Sequence, residues 1–383
     1  MRIGTMDKNT KGRRSSKGQT KKSKKKLKIK NIFTALLYLA TLGILVVMTL
    51  LYGPWAGFRD WLVTTAMTTM THQYFATWFF DEETIEHVLN KNKIVEFDES
   101  TNTDLIVSEI VPDTGNYKDE FDKQILQRDA KNNDYKIIPI NGKGYDGYLV
   151  AVYDPSRVRT VVTEHLGVTG QYVTQMSAKH EALVAINGGG FDDPNFVGTG
   201  GSPIGVTFTY GEPASRGEYH GEGGVIGFDS NNKLILGKMT TEEANKKGIR
   251  DAVTFGPFLI VNGKKAEIRG NGGWGTAPRT AIGQRQDGIV LFLVLDGRRV
   301  TKPGASMHDM ADILMKYGAY NASNLDGGTS TVLVVNHVIV NDPIDISGAH
   351  RTRPVASAFI LEKDASDDGD ATVVQDRIDK LKK

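Results

Sequence analysis

The chain has 383 residues, 39% hydrophobic and 24% charged, enough for one large domain or two ordinary ones. Its 42 glycines favour a β-rich or α/β protein with tight turns over a helical bundle, and the lack of cysteine excludes disulfides, cysteine–zinc sites and thiol nucleophiles. The formal charge of +2 is uneven: residues 1–30 hold 13 Lys and Arg against one acid, so residues 31–383 carry a net −10, a poor surface for nucleic acid.

Residues 1–30 read as a solvated basic tail. Ile32 to Tyr52, "IFTALLYLATLGILVVMTLLY", follows with 21 residues and no charge. That length spans a bilayer as a helix, giving a transmembrane segment over 31–52. A secretory signal has a shorter apolar core ending at small residues, and no Ala-x-Ala site follows Tyr52. The lysines from Lys21 to Lys30 predict a cytoplasmic N-terminus, with the rest of the chain outside, on a bacterial cell surface.

Residues 53–80 are aromatic and nearly uncharged, suited either to the headgroup region or to packing on the body of the protein. Residues 81–144 are polar, with "DEETIEHVLNKNK" reading as a short amphipathic helix, and are taken as a stalk. From about 145 to 362 the texture changes to short strands separated by turn signals. Two strands flank the Asp154-Pro155 turn, and a helix leads into a buried strand over 182–186. Hairpins are predicted across Ser230-Asn231-Asn232, Asn262-Gly263 and Gln286-Asp287-Gly288. An amphipathic helix carries Met307, Met310, Ile313, Leu314 and Tyr317 on one face, with Gly318 near its C-cap. Val332 to Val335 read as a buried strand, and 363–383 as a charged tail. The expected fold is α+β: a mainly antiparallel β core with a few packed helices, preceded by one transmembrane helix.

Polar, glycine-rich punctuation sits beside strand ends at four places. "AINGGGFDD" offers the Asn187 amide, with Gly188 and Gly189 allowing close approach of a ligand. "GNGGWGTAPRTAIG" brings Arg279 and Thr280 after a flexible loop, and the arginine fork suits phosphate. "LVLDGR" ends a strand with Asp296, and "NLDGGTS" presents Asp326, Gly327, Gly328 and Ser330. Each alone is an ordinary turn. Together a carboxylate, an amide, an arginine and glycine loops make a kit for glycosyl or phosphoryl chemistry. "GEYHGEGG" groups His220 and Glu222 as an acid/base pair or metal cluster, against the simpler reading of a solvated loop. No Gly-x-Ser-x-Gly elbow is present, which weakens a serine hydrolase reading.

"AINGGGF", "FGPFLIVNG", "PRTAIG", the 306–319 helix and "NLDGGTSTVLVVN", in this order, resemble the phosphodiester glycosidase family, typified by N-acetylglucosamine-1-phosphodiester α-N-acetylglucosaminidase. The resemblance implies cleavage of a sugar from a sugar-1-phosphodiester, leaving a phosphomonoester, on a phosphorylated glycan of exopolysaccharide or cell-wall type; no cofactor is expected, and the sequence holds no convincing set of metal ligands. It assigns catalysis to Asp326 and Arg279, and substrate contacts to Asn187, Gly188, Thr280, Gly327, Gly328 and Ser330. Two departures, the third glycine of "NGGGF" and the Thr in "DGGTS", bear on substrate fit. A non-catalytic module that binds such a polymer, or a metal-dependent phosphodiesterase cutting the P–O bond, are the alternatives.

Overall fold

The computed structural model describes residues 17–68, 72–97, 99–107, 110, 112–129, 132–193 and 199–363, with side chains from residue 31 onward. The first part of the basic tail and the charged tail from residue 364 lie outside the described residues. The chain divides into two units, Met1–Arg59 and Asp60–Lys383. The first holds the helix Lys17–Tyr52, whose stretch Asn31–Tyr52 is long and apolar enough to cross a membrane.

The second unit is built on three antiparallel sheets. The seven-stranded sheet runs in the order 264–265, 258–261, 319–324, 279–285, 290–295, 146–152 and 135–141. Its strand Val290–Leu295, "VLFLVL", is buried on both faces, because side chains alternate across a strand. Leu291, Leu293 and Leu295 pack toward the helix Met307–Lys316, with Met307, Met310 and Leu314. Val290, Phe292 and Val294 pack the other way, against residues of the remaining two sheets such as Ile186, Phe228 and Phe359. Leu→Ala or Phe→Ala changes in this strand cost about 3–5 kcal/mol each.

A five-stranded sheet orders 338–339, 333–335, 184–187, 357–361 and 158–162, and the helix Val173–Lys179 covers its far face with Val173 and Met176. The third sheet orders 234–237, 224–229, 249–255, 206–209 and 212–216. The three predicted hairpins form at the expected turns. The Asn262-Gly263 turn has both residues at positive φ, 53° and 75°, the type I′ geometry that such dipeptides favour.

The segment taken as a stalk belongs to the body instead. Tyr135–Asn141 pairs along its whole length with Asp146–Val152. Ile94 and Val95 pair with Ile268 and Glu267, and the Tyr153 hydroxyl donates to the Ile125 carbonyl at 2.9 Å. Charged and polar loops concealed the membership, because a short edge strand carries little hydrophobic signal.

Candidate active site

The decisive element is the crossover between two sheets. The strand Ala319–Asn324 lies in the seven-stranded sheet and Leu333–Val335 in the five-stranded one. Residues 325–332 pass between them, with a short 3-10 turn at Gly328–Ser330. Asn187, fully buried at the end of Val184–Asn187, fastens this passage. Its amide donates to the Asp326 carbonyl at 2.6 Å, and its carbonyl accepts the Thr280 hydroxyl at 2.7 Å and the Val332 amide at 3.2 Å. Leu325 N donates to Thr280 O at 2.8 Å and Asp326 N to Gly188 O at 3.2 Å.

Asn187 and Thr280, expected to touch substrate, therefore have their polar atoms committed inside the protein and hold the loop that carries Asp326. Gly188 and Gly189 also change role. A Cβ at Gly188 would sit 2.6 Å from Ser357 Oγ, and one at Gly189 would sit 2.7 Å from the Thr254 carbonyl. These glycines let strands pack closely rather than admit a ligand.

Three arginines address the loop from successive directions. Arg353 donates to Asp326 Oδ2 at 3.0 Å and to Ser330 Oγ at 2.6 Å, and its guanidinium lies 4.5 Å over the Phe191 ring. Arg298 donates to Thr329 Oγ1 at 2.8 Å and to the Ile344 carbonyl at 2.9 Å, and a Cβ at Gly328 would lie 2.9 Å from its Nη2. Gly328 has φ +61°, which suits glycine. Arg279 is 4% exposed. Among the described residues it donates only to backbone carbonyls: Ala305 at 3.3 Å, Trp274 at 2.5 Å and Gly275 at 3.1 Å.

No carboxylate meets Arg279 among the described residues. Burial, and then the neighbouring Arg298, lower its guanidinium to about 10. Burial and Arg353 likewise lower Arg298, with Asp345 and Asp326 pulling the other way. A buried cation without a counterion is costly, and an anionic ligand would relieve that cost. Asp326 itself is half-buried; one oxygen meets Arg353, and the other has no hydrogen bond among the described residues.

Sequence reasoning missed Arg298 and Arg353. Arg298 follows what reads as an Asp-Gly turn, and Arg353 sits in a charged loop remote in sequence. Asp296, by contrast, makes no hydrogen bond to these arginines or to the Asp326 loop among the described residues. It is 5% exposed, with one oxygen accepting Asn341 Nδ2 at 2.8 Å and the other the Asp342 amide at 3.0 Å. Burial raises its pKa, and these bonds offset part of that effect. The carboxylate pins the 341–342 chain segment, with one hydrogen bond to each of its oxygens.

His220 and Glu222 do not form a pair. The His220 side chain is 88% exposed and 3.4 Å from Glu218. Glu222 accepts the Trp274 indole N–H at 2.8 Å, and burial raises its pKa. The solvated-loop reading holds for His220, and Glu222 becomes a support for the loop before Arg279.

The fold and its polar crossover define an antiparallel α+β domain with an arginine-rich, carboxylate-bearing centre at a sheet junction. Residues 180–362 match the phosphodiester glycosidase family. The SPbeta prophage-derived uncharacterized protein YomE of Bacillus subtilis (strain 168) is 28% identical over 200 residues, 50% of this chain and 30% of that protein. The N-acetylglucosamine-1-phosphodiester alpha-N-acetylglucosaminidases of Bos taurus and Homo sapiens are 37% identical over 67 residues, 18% of this chain. The chain thus spans less than a third of the length of these curated relatives. The catalytic domain of the zebrafish N-acetylglucosamine-1-phosphodiester alpha-N-acetylglucosaminidase, auto-inhibited by its pro-peptide, has a TM-score of 0.51 at 19% identity. The match covers 62% of this chain and 86% of that one, a likeness of fold.

Proposed function

We propose that this protein is a hydrolase that cleaves the glycosidic C1–O bond of a sugar-1-phosphodiester carried on a surface glycopolymer. The observation that carries this reading is the convergence of Arg279, Arg298 and Arg353 on the loop of Asp326, with Arg279 buried and meeting no carboxylate among the described residues.

Breaking C1–O develops positive charge on the sugar ring and negative charge on the departing phosphate. Guanidinium groups placed where that negative charge appears stabilise the transition state more than the ground state. A phosphomonoester leaves readily, so little proton donation is required. Asp326, one oxygen of which has no hydrogen bond among the described residues, either attacks C1 as the phosphomonoester departs, forming a glycosyl ester that water then hydrolyses, or deprotonates the water that attacks C1; the configuration of the released sugar distinguishes the two. Arg353 orients that carboxylate through its bond to Oδ2. The apolar helix anchors the protein in a membrane with its N-terminus in the cytoplasm and the enzyme outside.

The test uses the full-length chain in detergent, parent and Asp326→Asn, with a panel of sugar-1-phosphodiesters. Free sugar and phosphomonoester from the parent, lost in the variant, is the expected result. Release of sugar phosphate would mean P–O cleavage and sink the assignment. Saturable polymer binding with no release across the panel would make the protein a binding module.

A further inference from the structure

The segment Asp60–Val95 lies outside the residues matched to the family, yet it grips the loop that presents Arg279. The buried Asn92 side chain accepts the Asn271 amide at 3.0 Å. It also donates to Asp60 Oδ2 at 3.2 Å and to the Val88 carbonyl at 2.9 Å. Asn271 Nδ2 in turn donates to Thr64 Oγ1 at 2.8 Å, while its oxygen accepts the Gly273 amide at 3.0 Å. Arg269 N donates to the Lys93 carbonyl at 2.9 Å, continuing the pairing of Ile94 with Ile268.

The glycines of this loop are fitted to the contact. Gly270, Gly272, Gly273 and Gly275 all have positive φ, between 55° and 78°. A Cβ at Gly273 would lie 2.4 Å from the Asn92 carbonyl, and one at Gly275 would lie 2.4 Å from Thr65 Oγ1. The loop expected to be flexible is held against two helices, Ala56–Met67 and Glu82–Lys91. Immediately beyond the grip, the carbonyls of Trp274 and Gly275 accept both hydrogen bonds of Arg279 Nη2.

We propose that Asn92 and Thr64 are positioning residues for the anion site: through Asn271 they fix the Trp274 and Gly275 carbonyls, and these aim Arg279 at the phosphate. The inference rests on the phosphate-binding part of the function proposed above. It makes the segment that joins the apolar helix to the family domain a component of the active site.

The experiment measures the affinity of the full-length chain for inorganic phosphate by calorimetry, alongside KM and kcat for a cleaved phosphodiester. Asn92→Ala is expected to weaken phosphate binding on the order of tenfold to a hundredfold, the cost of a misplaced binding group. Arg279→Met should weaken it similarly, and the double variant should lose no more than Arg279→Met alone. A purely structural role would not give that non-additivity. Thr64→Val is expected to weaken binding, whereas Thr64→Ser, which keeps the hydroxyl, retains it; this pair answers the question if Asn92→Ala does not fold. Unchanged affinity in Asn92→Ala and Thr64→Val, additive losses in the double variant, or a parent that binds no phosphate would overturn the proposal. Phosphate binding with the expected pattern but no sugar release would instead remove the hydrolase reading and leave this one standing.

Discussion

The tripeptide Leu-Asp-Gly occurs at 295–297 and again at 325–327, each time at the end of a strand of the same sheet. The two aspartates have opposite fates. Asp296 is sealed, with both oxygens held by Asn341 and Asp342. Asp326 keeps an oxygen without a described partner and faces the arginines. What separates them is the next step of the chain. After Asp326 the chain crosses to another sheet, and Arg298 and Arg353 meet that crossover; after Asp296 the chain turns at Arg299–Lys302, and Asn341 and Asp342 cover the carboxylate. A carboxylate's role is thus set by where its strand leads, which a local motif does not contain.

The contrast is broken or sharpened most strongly by Asp326→Asn. It is expected to lower kcat/KM for sugar release by about a thousandfold or more, while the melting temperature stays close to the parent's. Arg279→Met comes next, with a loss on the order of a hundredfold in kcat/KM. Phosphate should raise the melting temperature of the parent and leave that of the variant unmoved, since stabilisation requires binding. Asp296→Asn should do the reverse of Asp326→Asn. Placing an amide N–H₂ opposite the Asp342 amide costs about 1–3 kcal/mol of stability, read by denaturant unfolding, while activity per folded molecule holds within a few-fold.

A smaller effect concerns pH. Burial and Arg298 lower Arg279 to about 10, so the folded chain releases this proton at lower pH than the unfolded chain does. The charged form costs stability below that point, and a bound anion offsets the cost and pulls the pKa back up. Affinity for sulfate, which stays doubly charged throughout, should therefore be flat around neutrality and fall as pH rises through about 10. The smallest effect is expected of His220→Ala, which should leave both turnover and melting temperature at parental values, because its side chain is 88% exposed.

Much of the architecture was legible in the sequence, because hairpin dipeptides and the Met307–Lys316 face follow from turn conformation and helical period. Asp326 was legible as a carboxylate in an otherwise unaccountable strand entrance. Arg353 was not: it sits 27 residues beyond Asp326, among ordinary surface charges, and only the return of the chain through Ser357–Leu361 brings it back. Arg298 gave no signal either, although the structure sets it at φ +61°, unusual for a residue with a side chain. Asn187 was found for the wrong reason. Its amide looked available beside three glycines, but Gly188 and Gly189 let Ser357 and Thr254 approach, Gly190 lies against Ile204 and Phe255, and burial turns the amide inward.

The arrangement of Arg279, Arg298 and Arg353 also bears on the tempo of turnover. Groups that welcome a departing phosphate do not stop attracting it once the bond is broken, and a monoester carries more charge than the diester it came from. On the proposed reading the slow event is escape of the phosphorylated half of the substrate. The first cycle would then outrun those that follow, and a build-up of free monoester around the membrane would throttle the enzyme.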